Sequence, residues 1–260
     1  MAGEKGSSFR DIMQGCVVAF GMYSRIPVLR LDWTEENMRY SMCFFPLIGA
    51  VCGGISLLAK YLCDERGLKR ALCAAFLVVI PVLITGGIHL DGLLDTADAL
   101  SAQRSVPERL QIMTDPHVGA FAVIIGCCYF LLQFGFYTEV AVDRHLLLLV
   151  GIGFVLSRAY SGLAMVLFPK AKGTGLLRLF SDAAVGRRVA VVLTLYILAA
   201  SVALILLDPE RGSFQALIAL VVFVWYRFFA VRKFGGITGD TEGFFLQVCE
   251  LAMLMGVVIR

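Results

Sequence analysis

The sequence predicts an all-α fold, a polytopic membrane helix bundle of about seven transmembrane helices preceded by an N-terminal interfacial or re-entrant helix. Three observations predict it. Of the 260 residues, 59% are hydrophobic, and the mean hydropathy of +0.82 is far above that of a soluble domain this size. Apolar runs recur at 41–63, 71–90, 118–142, 146–168, 189–207, 214–231 and 244–259. Most approach the ~20 residues that a helix needs to cross hydrocarbon. The basic residues between these runs divide unequally between two faces. Residues 1–260 read as a single integral-membrane domain.

The elements follow in order. Residues 9–29 are fairly apolar, but Arg25 and Pro27 break the run, which favours an interfacial or re-entrant helix over an eighth crossing. No compact apolar core follows the first ten residues, so no cleavable signal peptide is expected. The run 71–90 leads into an acidic stretch, and 105–113 reads as a short amphipathic helix with Pro107 at its start. The last run, 244–259, is short enough to be tilted, re-entrant or packed inside the bundle.

With seven crossings, the face carrying the N-terminus holds 14 Lys and Arg residues against 7 on the other, and Arg158 and Arg227 lie within spans. The excess predicts a cytoplasmic N-terminus in the inner membrane. The acidic stretch and the loops 169–188 and 232–243 then share the cytoplasmic side. A net charge of +3 without a basic, aromatic-interleaved stripe argues against nucleic acid as a partner. The eight cysteines lie mostly in apolar runs without CxxC spacing, as small core residues in a reduced compartment do.

The most informative stretch is GGIHLDGLLDTADAL, residues 86–100. As a helix it puts Asp91, Asp95 and Asp98 at i, i+4 and i+7 on one face, flanked by small Gly92, Thr96 and Ala99. Carboxylates that close repel one another and are costly to desolvate, and a hard divalent cation such as Mg²⁺ removes the cost. The competing reading is a polar interfacial helix with its acids in water. His89 is a candidate general base, or a histidine at headgroup level. The string GGITGDTEG at 235–243 repeats the Gly-Gly-Ile-x-x-Asp frame. There Gly235, Gly236 and Gly239 are candidates to turn backbone N–H groups toward an anion, and Asp240 is a further ligand or a turn residue. Arg104, Arg109 and Asp115 are candidate substrate contacts in the loop after Asp98. Arg158, inside the fourth span, either grips a phosphate or neutralises an acid, and Glu250 is the other intramembrane charge.

Together the strings TGGIHLDGLLDTADAL, MTDPHVGAFAV, SRAYSGLAM and GGITGDTEG, with FPLIGAVCGG and Ser24-Arg25-Ile26-Pro27-Val28, resemble the adenosylcobinamide-GDP ribazoletransferases, or cobalamin synthases. The likeness runs from about residue 20 to about residue 255. It implies an integral membrane enzyme that joins adenosylcobinamide-GDP to α-ribazole or its 5′-phosphate, releases GMP and needs Mg²⁺. It also implies that the family's acidic motifs fall on Asp91, Asp95 and Asp98, and on Asp240. Other late corrinoid-pathway enzymes or a second copy of the chain are the expected protein partners. His117 stands where the family usually has arginine, Gln247 where it has the first of two glutamates, and Glu242 and Phe244 replace apolar and small residues. Glu242 is a candidate substitute for the missing acid.

The residues also bear on rival readings. A CDP-alcohol phosphatidyltransferase usually has an arginine after Asp-Gly-x-x-Ala, and an aspartate-rich prenyltransferase repeats its acidic motif beside basic residues; both features are missing. A cation transporter would carry acids at mid-depth in several spans, whereas here all the candidate acids named above but Glu250 gather at one face.

Overall fold

Small residues explain the packing order of the bundle. In the computed structural model, which describes residues 9–29, 31, 34–38, 40–171 and 186–259, every named element is a helix. They are α1 (Phe9–Tyr23), α2 (Glu35–Met38), α3 (Ser41–Glu65), α4 (Arg70–Thr85), α5 (Ile88–Ser101), α6 (Val106–Ile112), α7 (Ala120–Val140), α8 (Arg144–Leu167), α9 (Gly186–Leu207), α10 (Pro209–Phe234) and α11 (Gly239–Ile259). Helix α8 sits at the centre, with 72% of its apolar window buried against 22% for α10. Its Gly151, Gly153, Ser157, Ala159, Ser161, Gly162 and Ala164 are all buried. A Cβ on Gly49 of α3 would overlap the Phe154 carbonyl, and one on Gly53 would lie 2.8 Å from the Gly151 Cα. Glycine at these positions lets the α3 and α8 backbones touch, the usual means of gaining dispersion contact where lipid gives no hydrophobic drive. Helices α9 and α11 pack on other sides of α8. Leu131 and Leu132 of α7, Leu195 and Leu198 of α9, and Phe228 of α10 face outward, as lipid contact requires.

Six helices among the described residues are long and apolar enough to cross a membrane: α3, α7, α8, α9, α10 and α11. The protein is therefore a multi-pass membrane protein. The run 71–90 does not continue as one helix. Helix α4 stops at Thr85, Gly86 and Gly87 adopt φ of 68° and 79°, and α5 leaves at 95° to α4. Two successive left-handed residues cannot continue a right-handed helix. The 16 residues of α4 reach ~24 Å, and α4 passes the length and hydropathy test for a seventh span only together with α5, as a pair bent into a broken span or a re-entrant loop. The N-terminal helix α1 packs along α3, with Val18 and Ala19 buried. The short last run is a full helix of 21 residues, because its polar first turn belongs to it. Most of the 169–188 loop, and Lys5, Arg30, Arg39, Lys172, Arg178 and Arg260 of the charge comparison, lie outside the described residues.

Candidate active site

Helix α5 forms where the sequence places it, and its acidic face meets the first turn of α11. Two glycines make the meeting possible. A Cβ on Gly92 would lie 2.6 Å from the Asp240 carbonyl oxygen, and one on Gly243 would lie 2.8 Å from the His89 carbonyl oxygen. The helices thus cross with 92 against 240 and 89 against 243, backbone on backbone. Helix α11 starts sharply: the Thr238 hydroxyl accepts from Thr241 N–H at 3.1 Å, and the Thr241 hydroxyl accepts from Thr238 N–H at 2.8 Å. This reciprocal cap fixes Asp240 in the first turn.

The carboxylates share one electrostatic neighbourhood. Asp95 is partly buried and lies within electrostatic reach of Asp91, Asp240 and Asp98, whose charges oppose its own. Asp91 is exposed, and Asp95 and Asp240 are half-buried. None of these three pairs with a Lys, Arg or His among the described residues. The side chains do not stand as a ready coordination shell: among the described residues no three His, Cys, Asp or Glu side chains form a group that could hold a metal ion.

Asp98 also makes a structural contact. Its carboxylate accepts from Gly119 N–H at 2.6 Å and from Ala122 N–H at 2.8 Å, anchoring the start of α7. A carboxylate at these free N–H groups satisfies donors that the helix leaves unpaired.

Several candidate substrate contacts are also engaged elsewhere. Arg158 is 1% exposed and donates to Glu250 at 2.7 Å and to the Phe154 carbonyl at 3.0 Å, so it neutralises an acid in the bundle core and cannot serve as an open phosphate clamp. Arg109 donates to the Lys233 carbonyl at 3.1 Å, tying α6 to the last turn of α10. Arg104 is exposed, 3.9 Å from Glu108. Glu108 also accepts from the Ser105 N–H at 2.9 Å and starts α6. Asp115 accepts from the His117 N–H at 2.9 Å in an exposed turn, and that bond holds its carboxyl below the usual range. Gly235 and Gly236 spend their N–H groups on the Val231 and Ala230 carbonyls, closing α10 rather than facing an anion. Gly239 is exposed, and a Cβ added there would meet nothing within 4 Å.

His89 lies two positions from Asp91, on a different side of the helix. It is 6% exposed, stacked 6.1 Å from the Tyr23 ring and tilted 5.6 Å from Phe45, and neither ring nitrogen has a hydrogen-bond partner among the described residues. That surrounding is a core contact, and it keeps the imidazole off the acidic ridge. Glu242 also points inward, accepting from Ser161 Oγ at 2.6 Å and Tyr226 OH at 3.2 Å. It therefore does not replace an acid on the ridge.

The chain is similar to known proteins over nearly its whole length. The model of the cobalamin-5-phosphate synthase family matches residues 15–258. The chain belongs to this family. A relative from Lachnoclostridium phytofermentans is 44% identical over 93% of this chain and 92% of its own length, and is named adenosylcobinamide-GDP ribazoletransferase. Relatives of the same name from Treponema denticola and Pseudomonas syringae are 33% and 34% identical, over 93% and 85% of this chain and 96% and 89% of theirs. No solved structure matches. Within the family reading, Gln247 gains a physical account: its amide oxygen accepts from Tyr129 OH, which also receives a bond from Gln133. A neutral side chain suits that partner between α7 and α11.

Proposed function

We propose that this chain transfers the adenosylcobinamide-phosphate group of adenosylcobinamide-GDP to an alcohol of α-ribazole or α-ribazole 5′-phosphate, releasing GMP. The observation that carries the reading is the α5–α11 crossing, which sets Asp91, Asp95 and Asp240 on one ridge without neutralising partners among the described residues. Membership of the family and the names of the relatives support the substrates.

The ridge fits a hard divalent cation by its chemistry: oxygen donors only, mutual repulsion, and no basic side chain paired with them among the described residues. Asp91, Asp95 and Asp240 would hold Mg²⁺, which when bound supplies charge neutralisation at the diphosphate and alignment for in-line displacement. The remaining steps belong to the chain. Asp98 keeps α7 seated beside the ridge. A ridge carboxylate takes the proton of the attacking alcohol, since His89 is buried away from it. The Gly92–Gly243 contact sets the acidic face of α5 against the first turn of α11, which carries Asp240. The excess of basic residues on the same face supports a cytoplasmic position for this chemistry at the inner membrane, where nucleotides would reach it.

The test is direct. Protein purified in detergent, given Mg²⁺, adenosylcobinamide-GDP and α-ribazole, yields GMP and a complete cobalamin, and a chelator abolishes both. GMP formed only with a different acceptor would overturn the substrate assignment and leave the chemistry standing.

A further inference from the structure

The segment Ser24-Arg25-Ile26-Pro27-Val28 serves neither the acidic ridge nor the bundle core, yet it is firmly held. The Ser24 hydroxyl donates to the Phe20 carbonyl at 2.7 Å, closing α1. The Arg25 N–H donates to the Ile84 carbonyl at 2.7 Å, at the last turn of α4. The Arg25 side chain then lies flat across Gly86, where a Cβ would overlap its Nε, Cγ and Cδ atoms. Glycine at 86 thus serves both the left-handed turn and the passage of this arginine. The guanidinium makes no ion pair or hydrogen bond with any described residue.

What the guanidinium borders is a groove of about 540 Å³ lined by Arg25, Ser24, Gly86, Ile88, Leu90 and Asp91. An arginine offers a planar fork matched to phosphate oxygens. Ile88 and Leu90 offer apolar surface to a flat heterocycle. Pockets of ~300–1,000 Å³ suit ligands of nucleotide size, and a corrinoid carrying its adenosyl group is much larger than that. Because Asp91 lines the same groove, a ligand held there by its phosphate presents its alcohol to the ridge.

We propose that this groove is the acceptor subsite and that Arg25 binds the phosphate monoester of a phosphorylated riboside. The assignment rests on the transfer reaction proposed above. Lipid headgroups carry the same phosphate chemistry, so the test separates the two sources. In an uncharged detergent with saturating donor, kcat/KM is measured for α-ribazole 5′-phosphate and for α-ribazole, with the native chain, Arg25→Ala and Arg25→Lys. The ratio of the two constants, which cancels any misfolded fraction, falls about tenfold or more in Arg25→Ala, the range of a lost charge-assisted hydrogen bond. Arg25→Lys restores part of it.

An unchanged ratio overturns the subsite. Equal loss with both acceptors and a raised donor KM assigns Arg25 to the donor diphosphate instead. A loss restored by anionic lipid vesicles, whichever acceptor is used, assigns it to the membrane. If the native chain turns over neither acceptor, the reaction itself is wrong and the subsite falls with it; activity with an unchanged ratio sinks the subsite alone.

Discussion

The strings Gly86-Gly87-Ile88 and Gly235-Gly236-Ile237 are identical in sequence and do different work. Each begins by closing a helix, with Gly86 at φ 68° after α4 and Gly235 at φ 75° after α10. They then diverge. Gly87 is also left-handed, α5 begins at once with Ile88, and the chain turns 95°. Gly236 takes φ 154° against the backbone of Lys170, and Ile237 pairs with Lys170 in an isolated parallel bridge before Thr238 starts α11. Asp91 therefore sits in the fourth position of its helix and Asp240 in the second. The repeated string encodes a helix stop. What comes after it depends on the chain segment packed alongside, Arg25 in one case and 169–171 in the other. The two aspartates meet because Gly92 and Gly243 let the helices cross closely, a feature that the repeat itself does not contain.

If that crossing builds the site, substitutions should separate by what they touch. The largest effect belongs to Asp91→Asn, which removes a ridge charge at nearly constant shape. GMP release should fall below detection while membrane insertion stays normal, and full activity would remove Asp91 from the site. Next come Gly92→Val and Gly243→Val, which drive the helices apart by their backbones. Each should lower kcat/KM by ~100-fold, the usual cost of a displacement near 1 Å at a reacting centre. Gly54→Ala, with nothing within 4 Å of its added carbon, serves as the comparison and should stay close to the native rate.

Asp98 should behave unlike Asp91. Asp98→Ala strips two N–H groups at the start of α7 of their acceptors and should cost ~1–2 kcal/mol in thermal unfolding, while Asp98→Asn keeps one of the two acceptors, sets its NH2 against the other N–H, and should recover only part of it. If Asp98→Asn instead abolishes product with unfolding unchanged, Asp98 acts through its charge on the ridge. The smallest effect lies at the far end of α10. Asp208 accepts from the Arg211 N–H at 2.9 Å, and that bond, with the Arg211 side chain, holds its carboxyl below the usual range. Its contribution is present above the ordinary aspartate value near ~3.9 and is lost as pH falls through the lowered folded value. Asp208→Ala should therefore cost ~1 kcal/mol at neutral pH, little at strongly acid pH, and leave substrate selectivity alone.

Much of the fold was legible because hydropathy and capping are local. The long runs, the helix at 88–101 and the Pro107 start of α6 follow from residues a few positions apart. The break after Thr85 was signalled by its glycine pair, but the apolar count carried the run on to residue 90. The site was legible in its acids and less so in their partners. The use of Asp98 by Gly119 and Ala122, more than 20 residues on, has no local pattern. The inward turn of Glu242 toward Ser161 and Tyr226 depends on helices that only tertiary packing brings together. Arg158 was open between two uses in sequence, and Glu250 at 2.7 Å decides between them. The importance of Gly92 was visible only as a small residue beside acids, and its contact with Asp240 needed the crossing.

The most direct test of the ridge is Mn²⁺ binding, followed by electron paramagnetic resonance on detergent-solubilised protein without substrate. Asp91→Asn on α5 and Asp240→Asn on α11 should each weaken binding by about tenfold or more, because both helices contribute to one ion. Native-like Mn²⁺ affinity in Asp240→Asn, or no bound Mn²⁺ in the native chain, would contradict a metal site built across the two helices.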